Sequence, residues 1–290
     1  MKIYDRQGQE IIVDQSQNNL LKLLYSHVLG RCALKVLTLP FITHIGGMYM
    51  NSSLSKHKIA SFIEHNHIDM SQYVKQDYHS YNDFFTRKII PEKRPIEMQE
   101  DQLIAPADSK LTYYPIREDT HLLIKDSLYS LSDLLQDETL AKEYHGGDCL
   151  IFRLTVDDYH RYCFIDDGDL EGEHYIPGKF HTVNPIANDY YPIYKQNARS
   201  YSLLHTKNFG DVIYMEVGAM MVGKIVNHPI KSFKKGEEKG YFEFGGSTIV
   251  VLFKKGIVQL DQDIIENSKT HHETRVLMGE KIGVKQKSMC

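Results

Sequence analysis

Gly245-Gly246-Ser247-Thr248 heads the strand-like run that ends at Phe253, and a serine directly after glycine can break its own backbone. The hydroxyl can attack the preceding carbonyl, because glycine lets the chain adopt geometries closed to other residues. The peptide becomes an ester. Elimination and hydrolysis then leave a ketone where Ser247 stood. A serine hydroxyl is a weak nucleophile and needs a neighbouring base, and histidine titrates in the useful range. Taken alone, the same four residues also describe a hairpin turn.

Four further stretches bear on the choice. They are Phe84-Phe85-Thr86-Arg87-Lys88 with Arg94-Pro95-Ile96, Ala105-Pro106-Ala107-Asp108-Ser109, Asp158-Tyr159-His160-Arg161-Tyr162, and Val217-Gly218-Ala219-Met220-Met221-Val222-Gly223. Together with the Gly-Ser-Thr they resemble, in order, the motifs of the phosphatidylserine decarboxylases. The resemblance runs from about residue 80 to residue 255. It departs at two places: Ser109 stands where the family has glycine, and Cys163 where many members have a second histidine.

The resemblance implies a precursor that cleaves after Gly246 into a β chain of residues 1–246 and an α chain of residues 247–290. Ser247 would become a covalent pyruvoyl group, the cofactor, which takes the substrate amine as a Schiff base. Phosphatidylserine would lose carbon dioxide and leave as phosphatidylethanolamine. The implied catalytic residues are Asp108, His160 and Ser247, with Asp108 orienting the imidazole as in other Asp-His-Ser triads. Cys163 leaves the processing base open between His160 and His181. The partners implied are the lipid substrate, an anionic membrane surface and the two cleaved chains as a heterodimer, with a homo-oligomer left open.

Composition agrees with a folded protein. The chain has 290 residues, 42% hydrophobic and 25% charged, enough for a full core and unlike a disordered segment. A net charge of −4 exerts no global pull on nucleic acid. Cys32, Cys149, Cys163 and Cys290 are scattered without CxxC spacing, which argues against a zinc site or disulfide framework and for reduced thiols. His57, His65, His67, His271 and His272 sit in no metal-binding frame, so they read as surface or capping residues and no metal is expected.

The pattern along the chain suggests an α+β fold: N-terminal amphipathic helices over residues 1–98, then a mainly antiparallel β domain, barrel- or sandwich-like, over 99–290. Residues 1–13 read as a strand or hairpin. Residues 20–39 read as one helix with a polar stripe, ended by Pro40. Residues 15–63 hold Lys22, Arg31, Lys35, Lys56 and Lys58 and no acidic residue. An apolar face edged by cations suits the surface of an anionic bilayer, so the expected location is peripheral, on the cytoplasmic face of the cell membrane. Short helices are expected within 54–85 and near 262–268. Strands are expected at 149–156, 211–218 and 248–253, with turns at Gly168, Gly236 and Gly240. Two other readings stand beside this one: an uncleaved lipid-binding homologue, and a pyruvoyl decarboxylase of a soluble amino acid. No Gly-x-Ser-x-Gly elbow surrounds Ser247, which disfavours a serine hydrolase.

Overall fold

The computed structural model describes residues 2–12, 40–119, 121–124, 127–178, 197–218, 224–245 and 247–287. The expected 20–39 helix, His181, Met220, Met221, Gly246, Cys32 and Cys290 lie outside the described residues. The chain opens with a hairpin of β1 (Ile3–Tyr4) and β2 (Glu10–Ile11). Helices follow: α1 (Pro40–Asn51), α2 (Lys58–His65) and α3 (Tyr81–Phe85). Pro40 is the first residue of α1, and the 20–39 helix that it was expected to end lies outside the described residues. Proline fits the first turn because its missing N–H would have no partner there.

From Gln102 the chain is mostly strand. β3 (Gln102–Ile104), β4 (Ser109–Pro115), β5 (His121–Ile124) and β6 (Ser127–Ser130) lead to the short helices α4 (Leu131–Leu135) and α5 (Glu138–Lys142). Next come β7 (Asp148–Leu154), β8 (Arg161–Cys163), β9 (Gly168–Ile176), β10 (Arg199–Thr206) and β11 (Gly210–Val217). They are followed by β12 (Ile225–Asn227), β13 (Ser232–Phe233), β14 (Glu238–Phe242) and β15 (Ser247–Phe253). The chain closes with β16 (Val258–Leu260), α6 (Gln262–Lys269), β17 (Glu273–Val276) and β18 (Lys281–Lys285).

One sheet holds ten strands in the order β13-β9-β10-β11-β15-β7-β4-β17-β1-β2, antiparallel throughout except where β1 meets β17. Its two ends are open, so the β domain is sandwich-like and not a closed barrel. A small sheet, β12-β14-β8, covers one face of it. Tyr214 of β11 joins the layers: its hydroxyl donates to the Cys163 carbonyl at 3.3 Å, and its ring lies 6.3 Å from that of Tyr162. The expected strands form because their β-branched and aromatic residues fit a buried pleat; every residue of β15 is buried.

Two glycines differ from expectation. Gly168 and Gly240 lie inside strands, while Gly236, at φ +79°, does make a turn. At Gly240 a Cβ would collide with the Val226 carbonyl of the neighbouring strand, so glycine serves close approach there.

Candidate active site

β15 places Ser247. Its first residue pairs with Leu154 at the end of β7, in an unbroken ladder to Phe253–Asp148. Ser247 is fully buried, and its hydroxyl has no hydrogen-bond partner. Buried polar atoms are normally satisfied, so an orphan of this kind calls for an explanation. Just upstream, Gly245 adopts φ +137°, a conformation that residues with a Cβ rarely reach.

His160 enters from the other side of the same corner. After β7 the chain turns through residues 155–158 and returns as β8. Asp158 braces that turn: its carboxylate accepts from the Thr155 N–H at 2.7 Å and from the buried Lys110 ammonium at 2.6 Å. The Asp158 backbone carbonyl lies 2.9 Å from His160 Nδ1. A carbonyl only accepts, so Nδ1 carries the proton and Nε2 presents a lone pair. Nε2 is buried without a partner. Burial pulls the His160 imidazole down to about 3, helped by the Arg87 guanidinium and opposed by the bond to Asp158. It is therefore a neutral base in the folded chain. No hydrogen bond joins Nε2 to Ser247 Oγ; both atoms stand uncommitted.

Aromatic rings close the corner. The Phe85 ring sits 4.2 Å from the His160 ring and 5.3 Å from that of Phe244. Tyr81 meets Phe244 edge-on at 5.0 Å. The Arg87 guanidinium is fully buried, 4.1 Å from the Tyr73 ring centre and 4.7 Å from that of Phe84.

Asp108 does not join His160. Its carboxylate is held by Arg94, at 2.5 Å to Nη2 and 2.8 Å to Nε, and accepts the Met278 N–H at 2.9 Å. Among the described residues it is the Asp158 carbonyl, and not Asp108, that orients the His160 imidazole; the other expected base, His181, lies outside them. The reason is strand alternation. Phe242 N–H donates to the His160 carbonyl, which extends the β8–β14 ladder back to residue 160. Side chains three apart on a strand point to opposite faces. His160 follows Tyr162, whose ring meets Phe242 and Tyr214 between the layers. Cys163 faces the other way, where its thiol feels the Asp108 charge. Burial pushes that thiol up to about 12, so Cys163 supplies neither a thiolate nor a base at neutral pH.

Lys110, Asp158, Asn82, Phe85 and Phe244 are parts of this corner that the sequence did not single out. Asp158 and Phe85 lay within quoted motifs, and that position was the available signal. Among the described residues no group of His, Cys, Asp and Glu could hold a metal.

A buried serine with a free hydroxyl, two residues after a glycine at positive φ, and a buried neutral imidazole with an uncommitted Nε2 are the parts a self-processing precursor needs. Comparison with known proteins gives the family. The phosphatidylserine decarboxylase model matches residues 81–284. The phosphatidylserine decarboxylase proenzyme 2 of Clostridium acetobutylicum is 52% identical over 97% of each chain. The phosphatidylserine decarboxylase proenzyme of Clostridium botulinum is 41% identical over 99% of this chain and all of its own, and that of Clostridium novyi 42% identical over 98% and 99%. The chain belongs to the phosphatidylserine decarboxylase family.

Proposed function

We infer that this chain is made as a precursor, cuts itself after Gly246, and then converts phosphatidylserine to phosphatidylethanolamine and carbon dioxide. The observation that carries the reading is the orphaned Ser247 hydroxyl at the head of β15, in a chain matched over nearly its full length by decarboxylase proenzymes.

The first step uses the chain's own groups. His160 Nε2 takes the Ser247 hydroxyl proton as Oγ bonds to the Gly246 carbonyl carbon. The bond from that carbon to the Ser247 nitrogen then breaks, and the nitrogen takes up the proton. The result is an ester with a free amine. A base next removes the Cα proton of residue 247, the Cβ–O bond breaks, and Gly246 leaves as a carboxylate. One water hydrolyses the dehydroalanine to a ketone and ammonia. The residues present fit a pyruvoyl group at this position: the serine is uncommitted, the chain approaches it through Gly245 at φ +137°, and Phe85 and Phe244 keep the corner apolar. Such a group supplies an electron sink for the pair left by departing carbon dioxide. His160 then moves the second proton, returning it to the headgroup carbon.

The membrane reading rests on α1. Phe41, Ile45 and Met48 are 69%, 48% and 63% exposed, with Tyr49 beside them. This spacing is one stripe of a helix. Leu54 is also exposed, Lys56 and Lys58 follow, and residues 40–63 carry no acidic side chain. A peripheral apolar face edged by cations fits an anionic bilayer. Among the described residues no helix is long and apolar enough to cross one. Phe41→Ser with Met48→Ser should reduce sedimentation with anionic vesicles by at least about tenfold, each buried side chain contributing about 1.5–3 kcal/mol. Unchanged sedimentation would remove α1 from the docking surface.

Intact mass is the test of the whole reading. Wild-type protein should split into residues 1–246 and a blocked fragment of residues 247–290, while Ser247→Ala stays whole. One full-length mass for both folded proteins would replace the decarboxylase with an uncleaved lipid-binding homologue.

A further inference from the structure

We propose that Asn82 is a positioning residue for self-cleavage: its side-chain carbonyl holds the backbone N–H of Phe244 and so aims the chain at the Gly246–Ser247 bond. The proposal rests on the self-processing reading above and adds a residue to it.

The contact is specific. Asn82 is 6% exposed. Its Oδ1 accepts the Phe244 N–H at 2.8 Å, and its Nδ2 donates to Asn51 Oδ1 at 2.9 Å. The backbone N–H can only donate, which settles which end of the amide is the oxygen.

The support behind it is rigid. Ser80 caps α3 by accepting the Asp83 N–H at 3.1 Å, and the buried Ser55 hydroxyl accepts the Tyr81 N–H at 2.9 Å. Asn51, at the end of α1, braces Asn82 from behind. Tyr81 and Phe85 on the same helix pack edge-on against the Phe244 ring.

The result is a segment fixed at both ends. Upstream, three successive N–H groups are tied: Phe242 to the His160 carbonyl, Glu243 to the Lys224 carbonyl, and Phe244 to Asn82. Downstream, Ser247 is locked in register with Leu154. Only two residues separate these anchors, and the first, Gly245, sits at φ +137°. Attack of Oγ on the preceding carbonyl needs near-contact geometry, and a displacement of about 1 Å can cost about 100-fold in rate. Asn82 is the only side chain among the three upstream anchors, so it alone can be removed without changing a backbone bond.

The test follows cleavage of freshly folded precursor by intact mass, in wild type, Asn82→Leu, Asn82→Ala, Asn82→Asp and Asn51→Leu. Thermal melting selects conditions where each is folded. Loss of the amide carbonyl, in Asn82→Leu or Asn82→Ala, should slow cleavage about 100-fold. Asn82→Asp keeps an acceptor for the Phe244 N–H and should stay within about tenfold of wild type. Asn51→Leu removes only the brace and should slow cleavage less than Asn82→Leu does. Hydroxylamine separates positioning from mere stability, because it cuts an ester already formed. It should release residues 247–290 from wild type and release far less from folded Asn82→Leu. A purely structural Asn82 would lower the melting temperature and leave the trapped ester fraction of folded molecules unchanged. Wild-type cleavage rates in a folded variant lacking the carbonyl would overturn the proposal. Absence of cleavage in wild type itself would instead overturn the self-processing reading.

Discussion

The two faces of β8 treat polar groups in opposite ways. On one side His160 Nε2, like Ser247 Oγ on β15, is buried and without a partner. On the far face Asp108 is gripped by Arg94 and the Met278 N–H, and Arg161 pairs with Glu238 at 2.7 Å and donates to the Thr86 carbonyl at 2.8 Å. One face is satisfied and holds the scaffold. The other leaves its reactive atoms uncommitted, at a cost of about 1–3 kcal/mol for each buried group. Unsatisfied buried atoms, more than charged residues in a motif, mark where chemistry is expected.

The largest effect should come from the reactive face. His160→Ala should arrest self-cleavage, with a loss of about 10²–10⁴-fold in rate, the range for a positioned general base. Time courses of intact mass measure it. Cleavage at the normal rate would transfer the role to His181.

The satisfied face should respond first in stability. Asp108→Asn leaves the Arg94 guanidinium buried without its counter-ion, which should cost about 3–5 kcal/mol. Urea unfolding in the Ser247→Ala background, where no cleavage interferes, reads that loss. Under conditions where the variant is folded, its cleavage should slow less than that of His160→Ala. Equal arrest in the two variants would mean that Asp108 serves an imidazole after all, and would again point to His181.

A smaller effect separates the faces by pH. The buried His160 stays neutral down to about 3, whereas an unfolded imidazole protonates near about 6.5. Between these values the unfolded chain binds the extra proton, so stability is present above about 6.5 and is lost as pH falls toward 3. The slope is at most about 1.4 kcal/mol per pH unit. In the Ser247→Ala background, between pH 7 and pH 5, the protein with His160 should lose about 2 kcal/mol more than the one with His160→Phe does. Identical pH profiles would show that His160 is not buried neutral.

Much of the frame could be read directly. β7, β11 and β15 announce themselves as β-branched runs, and the structure begins β15 at Ser247. The helical stretches within 54–85 and near 262–268 were legible from their patterns, the latter running to Lys269. Pro40 stands at the first turn of α1, where proline is tolerated. Gly168 and Gly240 misled because glycine marks close backbone approach as readily as a turn.

By itself the sequence determined which residues could react: a serine behind two glycines, a histidine in the segment Asp158–Tyr162, an aspartate after Pro106. Tertiary structure alone decided which of them meet. Alternation along β8 turned His160 inward and residue 163 outward toward Asp108. Packing of α3 against Phe244 brought Asn82 to the Phe244 N–H from far upstream in the chain. A motif specifies residue types at local spacing, whereas a hydrogen bond depends on which face of a strand each side chain takes and on what the fold packs against it.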